Sequence, residues 1–203
     1  MISKRNSKRG FTLLEMMMAF TLLAMVMLKA QGAMKAASQG IGDETKRAMI
    51  EDQARRVLRQ VGFAVMGSDR ASLLPGTMAP ISTENLRYRV NLGVQDGEVV
   101  WSDREMVAMD TGRLNVYWAE NPDEANEKKV VWSKLVAPYL QGEILNGIDD
   151  NGNGLVDETG LSFVIQGNAV TIRLTLQLIG ENDEPLTRTV ETTVTCRNLE
   201  GSE

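Results

Sequence analysis

Histidine is absent from this 203-residue chain, and cysteine occurs once, at Cys196. Those two counts remove much familiar chemistry. A Ser-His-Asp triad, a Cys-His dyad, a histidine-ligated metal and an internal disulfide are all impossible. The sequence also lacks G-x-S-x-G, S-x-x-K, a P-loop and G-x-G-x-x-G. Carboxylate-only catalysis stays open, but no motif points to it, so the expectation is a protein that is not an enzyme.

Acids are missing from the first nine residues, which hold Lys4, Arg5, Lys8 and Arg9. Setting those four aside leaves 18 basic residues against 27 acidic ones. A body that acidic lacks the electrostatic footprint of a nucleic-acid binder, so no nucleic-acid partner is expected. The densest later basic group, Lys46 to Arg59, alternates with acids. Glu51–Arg55 and Asp52–Arg56 stand at i,i+4, the spacing of a solvated helix face.

The next feature is the run beginning "KRGFTLLEMMMAF", residues 8–20. Phe11 to Leu28 holds a single charge, Glu15, and would span roughly 27 Å as a helix, close to the hydrocarbon thickness of a bilayer. The preceding basic cluster keeps residues 1–10 cytoplasmic and sends the rest across. Glu15 is the anomaly, because a charge at bilayer depth costs about 2.5–3.5 kcal/mol. A secretory signal cut near Ala30-Gln31-Gly32, giving a mature start near Ala33, would have an unusually long apolar core. A plain membrane anchor explains the length and leaves the charge unexplained. Met16, Met17, Met18, Met25 and Met27 would suit either irregular helix packing or a lipid-facing surface.

"G-F-T-L-L-E" after a short basic leader resembles the processing site of type IV pilins and of the pseudopilins of type II secretion. The resemblance implies that a prepilin peptidase cuts after Gly10 and methylates Phe11, and that Glu15 serves assembly. The physical chemistry is compatible with it. Cleavage creates an amino group that is largely cationic near neutrality, and a neighbouring subunit's ammonium could neutralise Glu15 within a bundle. The implied partners are other pilin-like subunits, the peptidase, an inner-membrane assembly platform and the lipid bilayer. The implied location is a single pass through a bacterial inner membrane with the body in the periplasm.

This reading divides the chain into a leader (1–10), a transmembrane or filament-core helix (11–31), a hinge and amphipathic helix (32–67) and a β-rich body (68–203). "SQGIGDE", residues 38–44, is expected to interrupt the helix through Gly40 and Gly42, with Asp43 capping its second half. Ala54, Val57, Leu58, Val61 and Val65 then form one apolar stripe. Strands are expected at "LRYRVNLG", "EVVWSD", "RLNVYWAE", "KKVVWSKLV", "LSFVIQG", "AVTIRLTLQL" and "TRTVETTVTC". Val170, Ile172, Leu174, Leu176 and Leu178 share a face. The expected class is α+β, with one helix against a half-buried antiparallel sheet, which is also the pilin fold. Cys196 alone cannot form the paired-cysteine loop of many pilins. The late strands, ending on Arg197 and Asn198, resemble those of minor subunits of the J-type and W-type groups, which join tip or priming complexes. The rival reading is a periplasmic calcium-binding protein or enzyme behind an atypical signal.

One motif remains. "NGIDDNGNGLVDETG", residues 146–160, places Asp149, Asn151 and Asn153 at alternate positions before Gly154, as at the start of an EF-hand loop. Leu155 would offer its carbonyl, Val156 would point into the core, and Asp157 and Glu158 would close the site. Gly160 stands where an EF-hand has its bidentate glutamate. Oxygen ligands on a flexible loop make Ca²⁺ the expected cofactor.

Overall fold

In the computed structural model the described residues are 12–76, 81–180 and 183–196. The leader, the Gly10–Phe11 junction and the Arg197–Asn198 ending fall outside them. The chain divides into two compact units, Met1–Asp43 and Glu44–Glu203.

In the first unit, α1 (Leu13–Gly67) begins, and its described side chains lie almost entirely unburied up to Ala37. Leu13, Leu14, Phe20, Leu22, Val26 and Leu28 are each more than 60% exposed. An apolar surface on every side of a helix suits lipid or a bundle of other helices. This stretch is long and apolar enough to cross a membrane. The break expected at 38–44 is corrected: helical structure continues through Gly40 and Gly42, and Asp43 is an interior residue rather than a cap. Two glycines cost about 1 kcal/mol each relative to alanine, a penalty that the flanking helical turns can absorb.

In the second unit α1 becomes one-sided. Ile50, Ala54, Val57, Leu58, Val61 and Val65 are buried, while Glu51–Arg55 and Asp52–Arg56 pair on the outside at 2.6 and 2.8 Å. The stripe meets the apolar face of an antiparallel sheet made of β1 (Ile81–Thr83), β8 (Leu161–Gln166), β9 (Ala169–Ile179) and β10 (Pro185–Thr195), in the order β1-β8-β9-β10. Alternation explains β9: Val170, Ile172, Leu174 and Leu176 are fully buried, whereas Leu178 is only partly so. Gly62 faces Val194 Cγ1, which a Cβ at that position would meet at 3.5 Å, an ordinary packing distance.

A single sheet was expected; among the described residues two four-stranded sheets and one two-stranded sheet are found. The second is built from β2 (Asn85–Tyr88), β5 (Glu105–Asp110), β6 (Asn115–Glu120) and β7 (Lys128–Ser133), also antiparallel and in the order β2-β5-β6-β7. A separate hairpin pairs β3 (Asn91–Gln95) with β4 (Glu98–Trp101). "LRYRVNLG" is thus divided between two sheets, and β1 and β5 had no counterpart among the expected strands. The cause at β5 is physical. Met106, Val107, Ala108 and Met109 are all buried, Val107 and Met109 in the main core and Met106 and Ala108 in a small cluster with Ala119. A strand buried on both faces does not alternate.

Between β7 and β8 the chain makes one excursion. Leu135–Ala137 takes over along β9 where β8 ends: Gln177 N–H donates to Leu135 O at 2.7 Å, and Ala137 N–H donates to Thr175 O at 2.9 Å. On the return, Thr175 N–H donates to Gly160 O at 2.7 Å. The acidic loop hangs between these stems.

Candidate functional site

Two regions carry the candidate residues. At the start of α1, Glu15 N–H donates to Thr12 Oγ1 at 3.2 Å, and Thr12 N–H donates back to Glu15 Oε2 at 2.8 Å. Thr12 Oγ1 also lies 3.1 Å from the same carboxylate oxygen. This is a reciprocal capping box, which satisfies two of the helix's orphan donors. The spacing Thr12-x-x-Glu15 announces it in the sequence. Glu15 therefore has a local partner of its own in the isolated chain.

In the acidic loop, Asp149 anchors the turn. Its carboxylate accepts from the N–H groups of Gly152 (2.7 Å), Asn153 (3.1 Å) and Gly154 (2.7 Å). Those backbone donors, Gly154 foremost, hold its pKa below the usual carboxylate range. Asn151 Oδ1 accepts from Asn153 N–H, and Asn153 Oδ1 accepts from Leu155 N–H. Gly152 and Gly154 have φ of +75° and +87°, a region in which a side chain would be strained.

The loop's later acids separate in role. Asp157, itself at φ +52°, accepts from the N–H groups of Asn146 and Gly147 at 2.9 and 3.0 Å and so staples the two ends of the loop. Glu158 turns inward. Its side chain is fully buried and pairs with Arg173 at 2.9 Å, which also holds Glu191 at 2.6 Å. Both Asn151 Nδ2 and Asn153 Nδ2 donate to Glu158 Oε2. The fold thus gathers Asn151, Asn153 and Glu158 at one point, with Asp149 shaping the turn beneath them. Val156 is 50% exposed, which corrects the expectation that it points into the core. Steric space is the reason Gly160 cannot be a ligand: a Cβ there would collide with the Ala137 carbonyl and reach Val136 Cγ1 at 3.0 Å. Among the described residues no group of three or more His, Cys, Asp or Glu side chains is poised by itself for a metal. Any ion would rely on asparagine and backbone oxygens as well.

Sequence reasoning missed Glu143. It is 5% exposed, and its Oε1 accepts from Asn151 N–H at 3.1 Å. Gly142, at φ +96° and packed against Asn151 Cβ, turns the chain so that this contact forms.

Residues 5–28 match the family model described as the prokaryotic N-terminal methylation motif. The chain therefore carries the N-terminal motif typical of type IV pilin-like proteins, and its α+β arrangement is consistent with a pilin-like fold. Comparison with curated proteins and with solved structures returned no match.

Proposed function

We propose that the chain is a minor pilin-like (pseudopilin) subunit of a type II secretion pseudopilus or type IV pilus, acting in a tip or priming complex. The methylation motif at residues 5–28, which from Leu13 on forms a helix with its apolar side chains unburied on every side, carries this reading. The subunit crosses the inner membrane once with its body in the periplasm. It is cut between Gly10 and Phe11 by a prepilin peptidase and assembles through the N-terminal half of α1. Glu15 then exchanges its contact with Thr12 for the amino group of a neighbouring Phe11. The subunit catalyses nothing and serves as the peptidase's substrate. The lone Cys196, buried beside Ser68, favours a minor subunit over a pilin with a disulfide-closed loop.

Intact mass spectrometry of the protein from a host with an active prepilin peptidase tests the assignment. The expected product begins at N-methylated Phe11, and a chain that still contains Met1–Gly10 would overturn it. Crosslinking in membranes should capture other pilin-like subunits. Partners from a secretion system or from a motility pilus decide between the two machines.

The 146–160 loop is proposed to hold a structural Ca²⁺. Asn151, Asn153 and Glu158 would supply side-chain oxygens, Leu155 its carbonyl, and Asp149 the turn and a further carboxylate. Asp157, which binds the backbone of Asn146 and Gly147, would brace the loop. Hard oxygen donors on a glycine-rich turn suit Ca²⁺ better than Zn²⁺ or Mg²⁺. An ion bound only by the folded state raises stability by mass action. Its removal by chelator should lower the melting temperature.

A further inference from the structure

We propose that Glu143 is a ligand of this metal site and replaces, from outside the D-x-N-x-N-G motif, the carboxylate that Gly160 cannot provide. The inference rests on the calcium reading above and adds a residue to it.

Four observations converge. The position that bears the bidentate glutamate in an EF-hand is sterically closed here, since any side chain on residue 160 would strike the Ala137 carbonyl. With that position closed and Asp157 engaged by the Asn146 and Gly147 N–H groups, Glu158 is the motif's closing carboxylate, and a further one must come from outside the motif. Glu143 is buried, and while Oε1 is held by Asn151 N–H, Oε2 is shielded from solvent and has no hydrogen-bond partner. No lysine or arginine pairs with Glu143 among the described residues, whereas Glu158, the other buried carboxylate of the loop, has Arg173. The backbone also ties the two glutamates together: Leu140 N–H donates to Glu158 O at 3.0 Å, and Glu143 N–H donates to Leu140 O at 2.9 Å.

A buried, half-satisfied carboxylate is costly unless something neutralises it. The neighbouring groups indicate what would do so. Asn151 lies between the two acids, its N–H on Glu143 and its Nδ2 directed to Glu158. The amides of Asn151 and Asn153 now present nitrogen to Glu158. A cation in their midst requires their oxygens instead, so both amides would have to shift from the Asn153 and Leu155 N–H groups that they now accept from. Carboxylate, amide and carbonyl oxygens with no nitrogen or sulfur ligand define a site for a hard divalent cation of calcium's size.

The test uses the full-length chain in detergent micelles with CaCl₂ as the probe. It combines calorimetric titration with thermal unfolding in CaCl₂ and in chelator. The parent should bind and melt higher with calcium. Glu143→Gln preserves shape and removes the charge, so its calcium affinity should fall about tenfold or more, following the dependence of such sites on ligand charge. In chelator it should melt no lower than the parent, because the buried charge is gone. If Glu143→Gln binds calcium like the parent while Asp149→Ala does not, the Glu143 assignment is wrong and the calcium loop stands. If Glu143→Gln melts lower by the same amount with and without calcium, Glu143 is only a packing residue and the proposal fails. If the parent shows neither heat nor a shift in melting, the site and the proposal fall together. Hydrogen exchange of the parent supplies a check that needs no variant. Calcium should slow exchange at residues 140–146 as well as at 149–158, and a response confined to the latter would also overturn the assignment.

Discussion

Replacing Gly160 with alanine should be among the most damaging single-methyl changes in the molecule. The added carbon would overlap the Ala137 carbonyl and press on Val136 Cγ1 at 3.0 Å. Neither obstacle is the loose end of a side chain. Ala137 is fixed through its N–H to Thr175 O, and Gly160 through its own O to Thr175 N–H. Relief therefore requires one stem to leave β9. Overpacking costs about 1–3 kcal/mol. Loss of the Thr175–Gly160 bond, or of the 3.1 Å Gly160–Pro138 bond, adds roughly 0.5–1.5 kcal/mol. A total of about 2–4 kcal/mol corresponds to a fall in melting temperature of roughly 5–12 °C for a domain of this size. Gly152→Ala is the control. Its added carbon meets open space, so only the positive-φ penalty of about 1–2 kcal/mol applies. Thermal unfolding by circular dichroism in chelator reads both variants. A Gly160→Ala protein that melts within about 2 °C of the parent, or above Gly152→Ala, would refute the steric account.

Thr12→Ala should remove the capping box at a cost of about 0.5–2 kcal/mol, seen as faster amide exchange over the first turn of α1 without loss of the body's structure. Glu15→Ala should leave membrane insertion intact and weaken assembly, and a variant that assembles like the parent would contradict the proposed role of the charge. Asp149 has its acidity strengthened by folding, so its contribution is present above the unfolded carboxylate range and is lost as pH falls through its lower folded value. Carboxyl NMR should show Asp149 titrating below a typical aspartate, together with loosening of residues 149–154. Cys196 is 3% exposed, and burial raises its thiol pKa, so alkylation at neutral pH should succeed only after unfolding.

The parts of this fold that the sequence disclosed are those in which one local pattern decides. The stripe from Ala54 to Val65 and the alternation of Val170 to Leu176 each show a single buried face, and both are found as expected. The division into separate sheets was hidden because β5 is buried on both faces, and because β2 and β3 part at Arg89–Val90 with no glycine or proline to mark the turn. The acidic loop was legible because its motif is contiguous. Glu143 was not, since a lone glutamate beyond the motif looks solvent-bound until Gly142 turns it onto Asn151. Gly160 could be recognised as a departure from the EF-hand pattern. The reason for it, a neighbouring backbone, belongs to tertiary structure.

The neck of the acidic excursion is tied to Thr175 and Gln177 by main-chain bonds from Leu135, Ala137 and Gly160. Beyond that neck the loop reaches the sheet through side chains, Glu158 on Arg173 and Gln141 N–H on Thr175 Oγ1, rather than through the strand ladder. Doubling the length of such a loop adds only about 0.6 kcal/mol of closure entropy. The neck can therefore act as a socket: a loop that keeps Glu158 for Arg173 could carry a reporter peptide, an epitope or a different cation site while β9 keeps its pairing.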